Sequence, residues 1–354
     1  MNTACLTRDE ILAWLRQDDP AKLDDLWRRA DAARRSAVGN AVHLRGLIEV
    51  SNHCIRRCGY CGLRAGHSEL ERYRLTSDEV IGCARHAVKL GYGTVVLQAG
   101  EDPVLTQDWV VNVITRIKRE TALAVTLSLG ERSWHELLAW KKAGADRYLL
   151  RFETSDPELY RKIHPPHGRR KCDRARFLPA LREIGYEIGS GVMIGIPGQT
   201  YSTLVNDILR FSEMDLDMIG VGPWLAHPAT PLGRGDWDPA VSVAEQVPAS
   251  ELMVYKVVAL ARLVCPHANI PSTTALATLN RKNGRELGLQ RGANVFMPNL
   301  TPLKYRSLYE IYPAKACIYE TADSCHACLQ HRIAKMGRHV GSGPGGRRRC
   351  GAVA

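Results

Sequence analysis

The 354-residue sequence contains no run approaching the roughly 18 uninterrupted apolar residues that a membrane helix needs, so no membrane association is expected. Its first residues, Met1 to Glu10, lack the basic-then-apolar pattern of a secretory signal, and a cytoplasmic location is expected. No acidic residue follows Asp323. Six of the eleven net positive charges (Arg332, Lys335, Arg338, Arg347, Arg348 and Arg349) therefore sit at the end of the chain, and the remainder is unremarkable. There is no basic helix with interleaved aromatics and no nucleic-acid module, so a solvated basic tail is preferred to a nucleic-acid site. No strong internal repeat and no long linker divide the chain. Only Gly341–Gly346 reads as a flexible, glycine-rich segment.

Cysteine is plentiful by contrast. The eleven residues fall into two clusters, Cys54, Cys58, Cys61 and Cys317, Cys325, Cys328, plus Cys5, Cys83, Cys172, Cys265 and Cys350 as singles. An odd count, tight clustering and no export signal argue against a disulfide framework and for metal chemistry in a reducing compartment. Cys83 and Cys265 lie in helical patterns and read as small core residues.

Residues 1–42 read as an amphipathic helical cap, with Thr7 and Glu10 at capping-box spacing. From residue 43 short apolar strands alternate with longer helical patterns. Strands are predicted at Gly46–Val50, Thr94–Gln98, Ala122–Ser128, Arg147–Arg151, Ile188–Ile194, Met218–Val221, Asn269–Thr273 and Asn294–Met297. The helical stretches are Ser77–Leu90, Gln107–Lys118, Ser133–Ala143, Asp173–Ile184, Tyr201–Met214, Glu245–Cys265 and Arg281–Leu289. Such alternation predicts an α/β fold, a (β/α)8 TIM barrel over 43–312, followed by a C-terminal extension over 313–354. An open doubly wound sheet is the competing architecture. The barrel is favoured because residues capable of chemistry recur at nearly every strand end.

The first strand runs into Cys54-x3-Cys58-x2-Cys61. Three thiolates on one tight loop suit an iron–sulfur cubane with one iron left without a protein ligand, since structural zinc normally takes four. Zinc completed by His53 or His67 would be the default for an isolated motif. The barrel context argues against it.

This loop, with Tyr60 just before the third cysteine, resembles the radical SAM superfamily, in which three cysteines hold a 4Fe–4S cluster that binds S-adenosyl-L-methionine (SAM). Across residues 43–328 the chain resembles most the HydE family of FeFe-hydrogenase maturases. The segments that carry this are Leu97-Gln98-Ala99-Gly100-Glu101-Asp102-Pro103, Thr126-Leu127-Ser128-Leu129-Gly130-Glu131, Gly144 to Arg151, Gly220-Val221-Gly222-Pro223, Ile270 to Ala275, Gly292 to Asn299, and Tyr305 to Tyr309. The resemblance implies SAM contacts from Gly100-Glu101, Thr126, Glu153, Arg174 (with Arg176 competing), Met193, Val221 and the Tyr60 carbonyl. It implies a substrate carboxylate held by Arg147, Thr273 and Thr274, with Tyr305 and Arg306 completing that wall. Ala99 departs from the family's small polar or glycine residue and removes a hydroxyl from the cavity. Cys317-x7-Cys325-x2-Cys328 matches an accessory site, 2Fe–2S or 4Fe–4S, carried by some members.

The function so implied is reductive SAM cleavage to a 5′-deoxyadenosyl radical in H-cluster maturation. The substrate would be a cysteine-bound iron carbonyl cyanide species from HydG, the downstream scaffold HydF, and the electron donor a ferredoxin or flavodoxin. A methylornithine-synthase-like or biotin-synthase-like activity on another small anionic or amino-acid substrate is the alternative. An acidic pocket would favour methylornithine synthase over the trio of Arg147, Thr273 and Thr274.

Overall fold

The computed structural model describes residues 6–167, 174–237 and 239–347. Cys5, Cys172, Cys350, Arg348, Arg349 and the stretch from Arg169 to Asp173 lie outside the described residues. Among the described residues eight strands are formed: β1 (Ala41–Ser51), β2 (Thr94–Ala99), β3 (Ala124–Ser128), β4 (Arg147–Leu149), β5 (Glu187–Ile194), β6 (Met218–Pro223), β7 (Val295–Phe296) and β8 (His339–Val340). They pair in the order β6-β5-β4-β3-β2-β1-β7, every ladder parallel, with β8 also beside β1. Strand interiors are near-continuous apolar runs such as Thr94–Leu97, as expected when helices cover the sheet.

The ring of eight strands expected from the sequence is not what forms. The segment predicted as a strand over Asn269–Thr273 makes only isolated bridges, Met218 with Asn269 and Pro271 with Val295. Three local reasons are visible. The Ile270 N–H is taken by the Asn294 side chain, Pro271 has no N–H to give, and Thr273 turns away to cap the helix Thr274–Leu279. The architecture is an α/β fold built on an open, parallel sheet curved as a partial barrel.

Helix starts follow side-chain chemistry. Full capping boxes form at Thr7/Glu10, Thr76/Glu79 and Ser133/Glu136, and the helix expected to open at Ser77 does so, with Thr76 as its N-cap. The long stretch predicted from Glu245 begins as a helix only at Glu251, after Pro248 and the N-cap Ser250. This helix, Glu251–Val264, is buried almost all round. Its Arg262 is fully enclosed and donates to the carbonyls of Gly292, Pro266 and Ala268 and to Asn294 Oδ1. Two N-terminal helices, Arg8–Arg16 and Pro20–Val38, pack against it, and Lys256 Nζ reaches back to the Leu15 carbonyl (3.0 Å).

At the N-terminal ends of the strands the glycine-rich tail is held in place rather than loose. The Pro344 carbonyl accepts from Thr94 Oγ1 and Arg147, and the Gly345 carbonyl from Arg45 and Asn269. Gly93 is required here, because a Cβ on it would lie 1.8 Å from the Gly343 carbonyl oxygen. Arg347 pairs with Asp215 and Asp217 beyond it.

Candidate active site

At the opposite, C-terminal ends of the strands a cavity of about 340 Å³ opens. The cysteine loop forms one wall and is fixed by its backbone. Ile55 N donates to the Glu101 carbonyl, Gly59 N to Ile163, and Gly62 N to Ile311. Arg72 threads underneath and donates to the carbonyls of Asn52, Leu63 and Arg64. Gly100 brings the end of β2 against this loop, since a Cβ there would meet the His53 carbonyl at 2.3 Å.

Cys54, Cys58 and Cys61 all line the cavity as free thiols. Burial pushes each thiol up, Cys58 well above the ordinary range and Cys61 to about 12, so each stays protonated at neutral pH until a metal displaces its proton. Among the described residues no three His, Cys, Asp or Glu side chains converge as a single zinc ion requires. A cubane spreads three thiolates over three irons and needs no such convergence. This donor set fits it.

Beside the thiols lies a four-membered charge network. Glu101 sits between Arg56 (3.4 Å) and Arg174 (3.5 Å), and Glu131 accepts from the same two guanidiniums at 3.1 and 3.0 Å. Burial outweighs both arginines and raises the Glu101 carboxyl above its usual range. Gly130 makes room for it: with φ of 79° and a virtual Cβ 1.9 Å from Glu101 Cγ, no other residue fits. Further round, Glu153 holds a left-handed backbone (φ 64°), pairs with Arg151 at 2.8 Å and accepts from the Tyr60 hydroxyl at 3.3 Å. Non-glycine residues in that region carry strain and concentrate at functional sites. His164 completes the group, with Nδ1 3.3 Å from Cys58 Sγ and Nε2 3.0 Å from the Tyr60 hydroxyl. Burial, then Arg174, Arg56 and Arg151, hold its imidazole neutral.

Of the residues singled out from the sequence, Cys54, Cys58, Tyr60, Cys61, Gly100, Glu101, Glu153, Arg174, Met193, Thr273 and Thr274 all line this cavity. Arg176 is exposed, which leaves Arg174 as the arginine of that pair at the cavity. Val221 and Thr126 are buried nearby without lining it; the Thr126 hydroxyl has no hydrogen-bond partner among the described residues. Thr273 uses its hydroxyl oxygen to cap the helix Thr274–Leu279.

Three of the residues expected at the substrate lie elsewhere. Arg147 opens β4 and so points into the far end of the sheet, bound to Glu187 (2.6 Å), Thr94 and the Pro344 carbonyl. Tyr305 stacks on Tyr73 outside the cavity and donates to Glu79, and Arg306 is spent on the carbonyls of Thr301 and Glu320. None of the three lines the cavity. The sequence reading also missed residues that do: Glu49, Arg56, His164, Tyr309, Tyr312 and Lys315. Glu49 is a lone acid inside an apolar strand, a signal available in the sequence. In the C-terminal extension the free thiols of Cys317 and Cys325 are hydrogen-bonded to each other, and Cys328 accepts from Arg332.

The model of the radical SAM superfamily matches residues 48–211. The chain is 44% identical to the [FeFe] hydrogenase maturase subunit HydE of Thermotoga maritima, over 97% of this chain and 94% of the relative. It is 29% identical to the 3-methylornithine synthase of Methanosarcina acetivorans, over 82% and 78% respectively. Its fold superposes on a crystal structure of methylornithine synthase (PylB) with a TM-score of 0.79 and 25% identity, over 96% and 95% of the two chains. With a cavity that gathers three free thiols and a relative of 44% identity along nearly its whole length, this chain belongs to the radical SAM superfamily, enzymes that cleave SAM reductively.

Proposed function

We propose that the enzyme directs its SAM-derived radical to a small substrate carrying amino-acid functionality. The observation that carries this reading is a cavity lined by both signs of charge, with Glu49, Glu101 and Glu153 set among Arg151, Arg174 and Lys315, as a zwitterionic ligand requires. Cys54, Cys58 and Cys61 would hold a 4Fe–4S cluster, which would supply the electron for SAM cleavage and a place for SAM to bind. The chain's own residues do the holding. Glu101 and Glu153 are acceptors for ammonium or ribose groups, Arg174 is a counter-charge for a carboxylate, and Met193, backed by the buried Val221, gives the nucleoside an apolar contact.

Two substrate readings have separate support. Maturation of FeFe hydrogenase, acting on a cysteine-bound iron carbonyl cyanide precursor, is supported by the 44% identity to a HydE subunit. HydG and HydF would then be its neighbours in the pathway, and a ferredoxin or flavodoxin its reductant. A methylornithine-synthase-like reaction is supported by the fold superposition and by the cavity itself. Arg147, an expected carboxylate anchor, is absent from the cavity, whereas three acids line it: Glu101, Glu153 and Glu49, the last paired with Lys315. The accessory cysteines Cys317, Cys325 and Cys328 are proposed as a peripheral cluster site that neither reading needs for radical formation.

Anaerobic reconstitution with iron, sulfide, SAM and dithionite tests the proposal. Formation of 5′-deoxyadenosine, stimulated by one substrate of either class, is expected. A loaded cluster with no 5′-deoxyadenosine under any of these conditions would sink it. Conversion of L-lysine selects the second reading, and consumption of the iron–cysteine complex the first.

A further inference from the structure

We infer that His164 is an N–H donor to the Cys58 sulfur and so helps to set the reduction potential of the cluster. The inference rests on the proposed ligation of that cluster by Cys58. Cys58 Sγ lies 3.3 Å from His164 Nδ1, within reach of a hydrogen bond to sulfur, and the ring is almost wholly buried at 3% exposure. The other ring nitrogen is engaged by the Tyr60 hydroxyl at 3.0 Å, while Tyr160 stacks on the ring face (4.9 Å between centroids). His164 is also the C-cap of the helix Pro157–Ile163, its N–H bonded to the Tyr160 carbonyl. The ring is thus fixed from three sides with one nitrogen aimed at the thiol.

Metal ligation decides the direction of the bond. A thiolate bound to iron carries no proton and can only accept, so Nδ1 must donate and Nε2 must accept; the one Tyr60 hydroxyl proton then goes to Nε2 at 3.0 Å in place of the longer contact to Glu153 at 3.3 Å. A donor on a ligand sulfur stabilises the more negative, reduced cluster over the oxidised one, which raises the potential. Reduction of the cluster is the step that needs such help, because it must precede SAM cleavage. No atom changes hands; the effect is electrostatic and belongs to a positioning residue.

The test is a potentiometric EPR titration of reconstituted His164→Phe and His164→Gln against wild type, with iron and sulfide content measured on each. For His164→Phe the ratio of reduced to oxidised cluster at a fixed poise should fall about tenfold, a shift of about 59 mV to more negative values for one electron. The glutamine variant, which keeps an N–H near the sulfur, should recover most of it. In electron–nuclear double resonance, an exchangeable-proton coupling present in wild type should vanish in the phenylalanine variant. Full clusters with unchanged potential and unchanged proton coupling in His164→Phe would overturn the inference. Should that variant fail to hold iron, a His164→Gln cluster without the exchangeable proton overturns it equally. Wild-type protein that holds no iron would instead overturn the ligation on which the inference rests.

Discussion

Lys315 Nζ lies against the carboxylate of Glu49 at the floor of the cavity, although 266 residues separate them in the chain. Asn299 donates to the second carboxylate oxygen at 2.9 Å, and both charged side chains are almost fully buried. This pair ties the C-terminal extension to the first strand of the sheet. Removing one partner leaves an uncompensated buried charge, so Lys315→Met alone should cost about 3–5 kcal/mol. Lys315→Met combined with Glu49→Gln should return most of that loss. Urea denaturation of Lys315→Met, Glu49→Gln and the double variant measures it, and simple additivity of the two single losses would show that the pair is not coupled.

The two cysteine clusters should separate cleanly in function. Cys58→Ser is expected to abolish 5′-deoxyadenosine formation, whereas Cys325→Ser should leave most of it. Iron content and product yield, determined side by side on anaerobically prepared protein, decide the matter. Equal losses in both would place the second cluster in the radical chemistry after all.

Gly130→Ala should displace Glu101, because the new methyl would overlap the carboxylate chain and the backbone is in a left-handed region. A stability loss of at least about 1 kcal/mol follows from the backbone alone. The affinity for SAM should weaken by about tenfold if Glu101 holds the cofactor, a loss equivalent to about 1.4 kcal/mol. Isothermal titration calorimetry on the reconstituted variant checks the second figure. Unaltered SAM affinity would detach Glu101 from cofactor binding.

Asp207 gives the fold a pH dependence. Its carboxyl is fully buried beneath the β5 loop, accepts from Ser155 N and Gln199, and is raised by burial to about 7. A raised folded-state value means that its contribution is fully present below the unfolded value near 4 and is lost as pH rises through about 7. The stability difference between wild type and Asp207→Asn should therefore shift against wild type by about 1.4 kcal/mol per pH unit across that window. Denaturation midpoints of both proteins from pH 4 to pH 8 provide the measurement. A constant difference would mean that Asp207 is charged throughout.

Much of this was legible beforehand because it is local. Seven of the eight expected strands form, since each is a short apolar run bounded by helix caps and glycines. The gathering of Cys54, Cys58 and Cys61 at one cavity was legible because it follows from their close spacing on one loop. Asn269–Thr273 failed as a strand for reasons that need the neighbours in view: Asn294, from another part of the chain, takes the backbone hydrogen bond that a ladder would need. Arg147 lies away from the cavity, and the sequence held the reason. It opens its strand, and chemistry in parallel barrels gathers at the other end, where Arg151 follows β4. Lys315 and His164 carry no local signal, because each acquires its role from residues distant in sequence.

The closure at the strands' N-terminal ends also orders events during synthesis. Arg338 reaches the carbonyl of Ala41 across 297 residues, and His339–Val340 pair with the first two residues of β1. A ribosome delivers β1 long before its outer partner exists, so that part of the strand stays unpaired until nearly all of the described chain has been made. Loop closure of this length is slow to find and late to stabilise. The growing chain must therefore carry an open sheet edge through most of its translation, and a chaperone that shields it would act on β1.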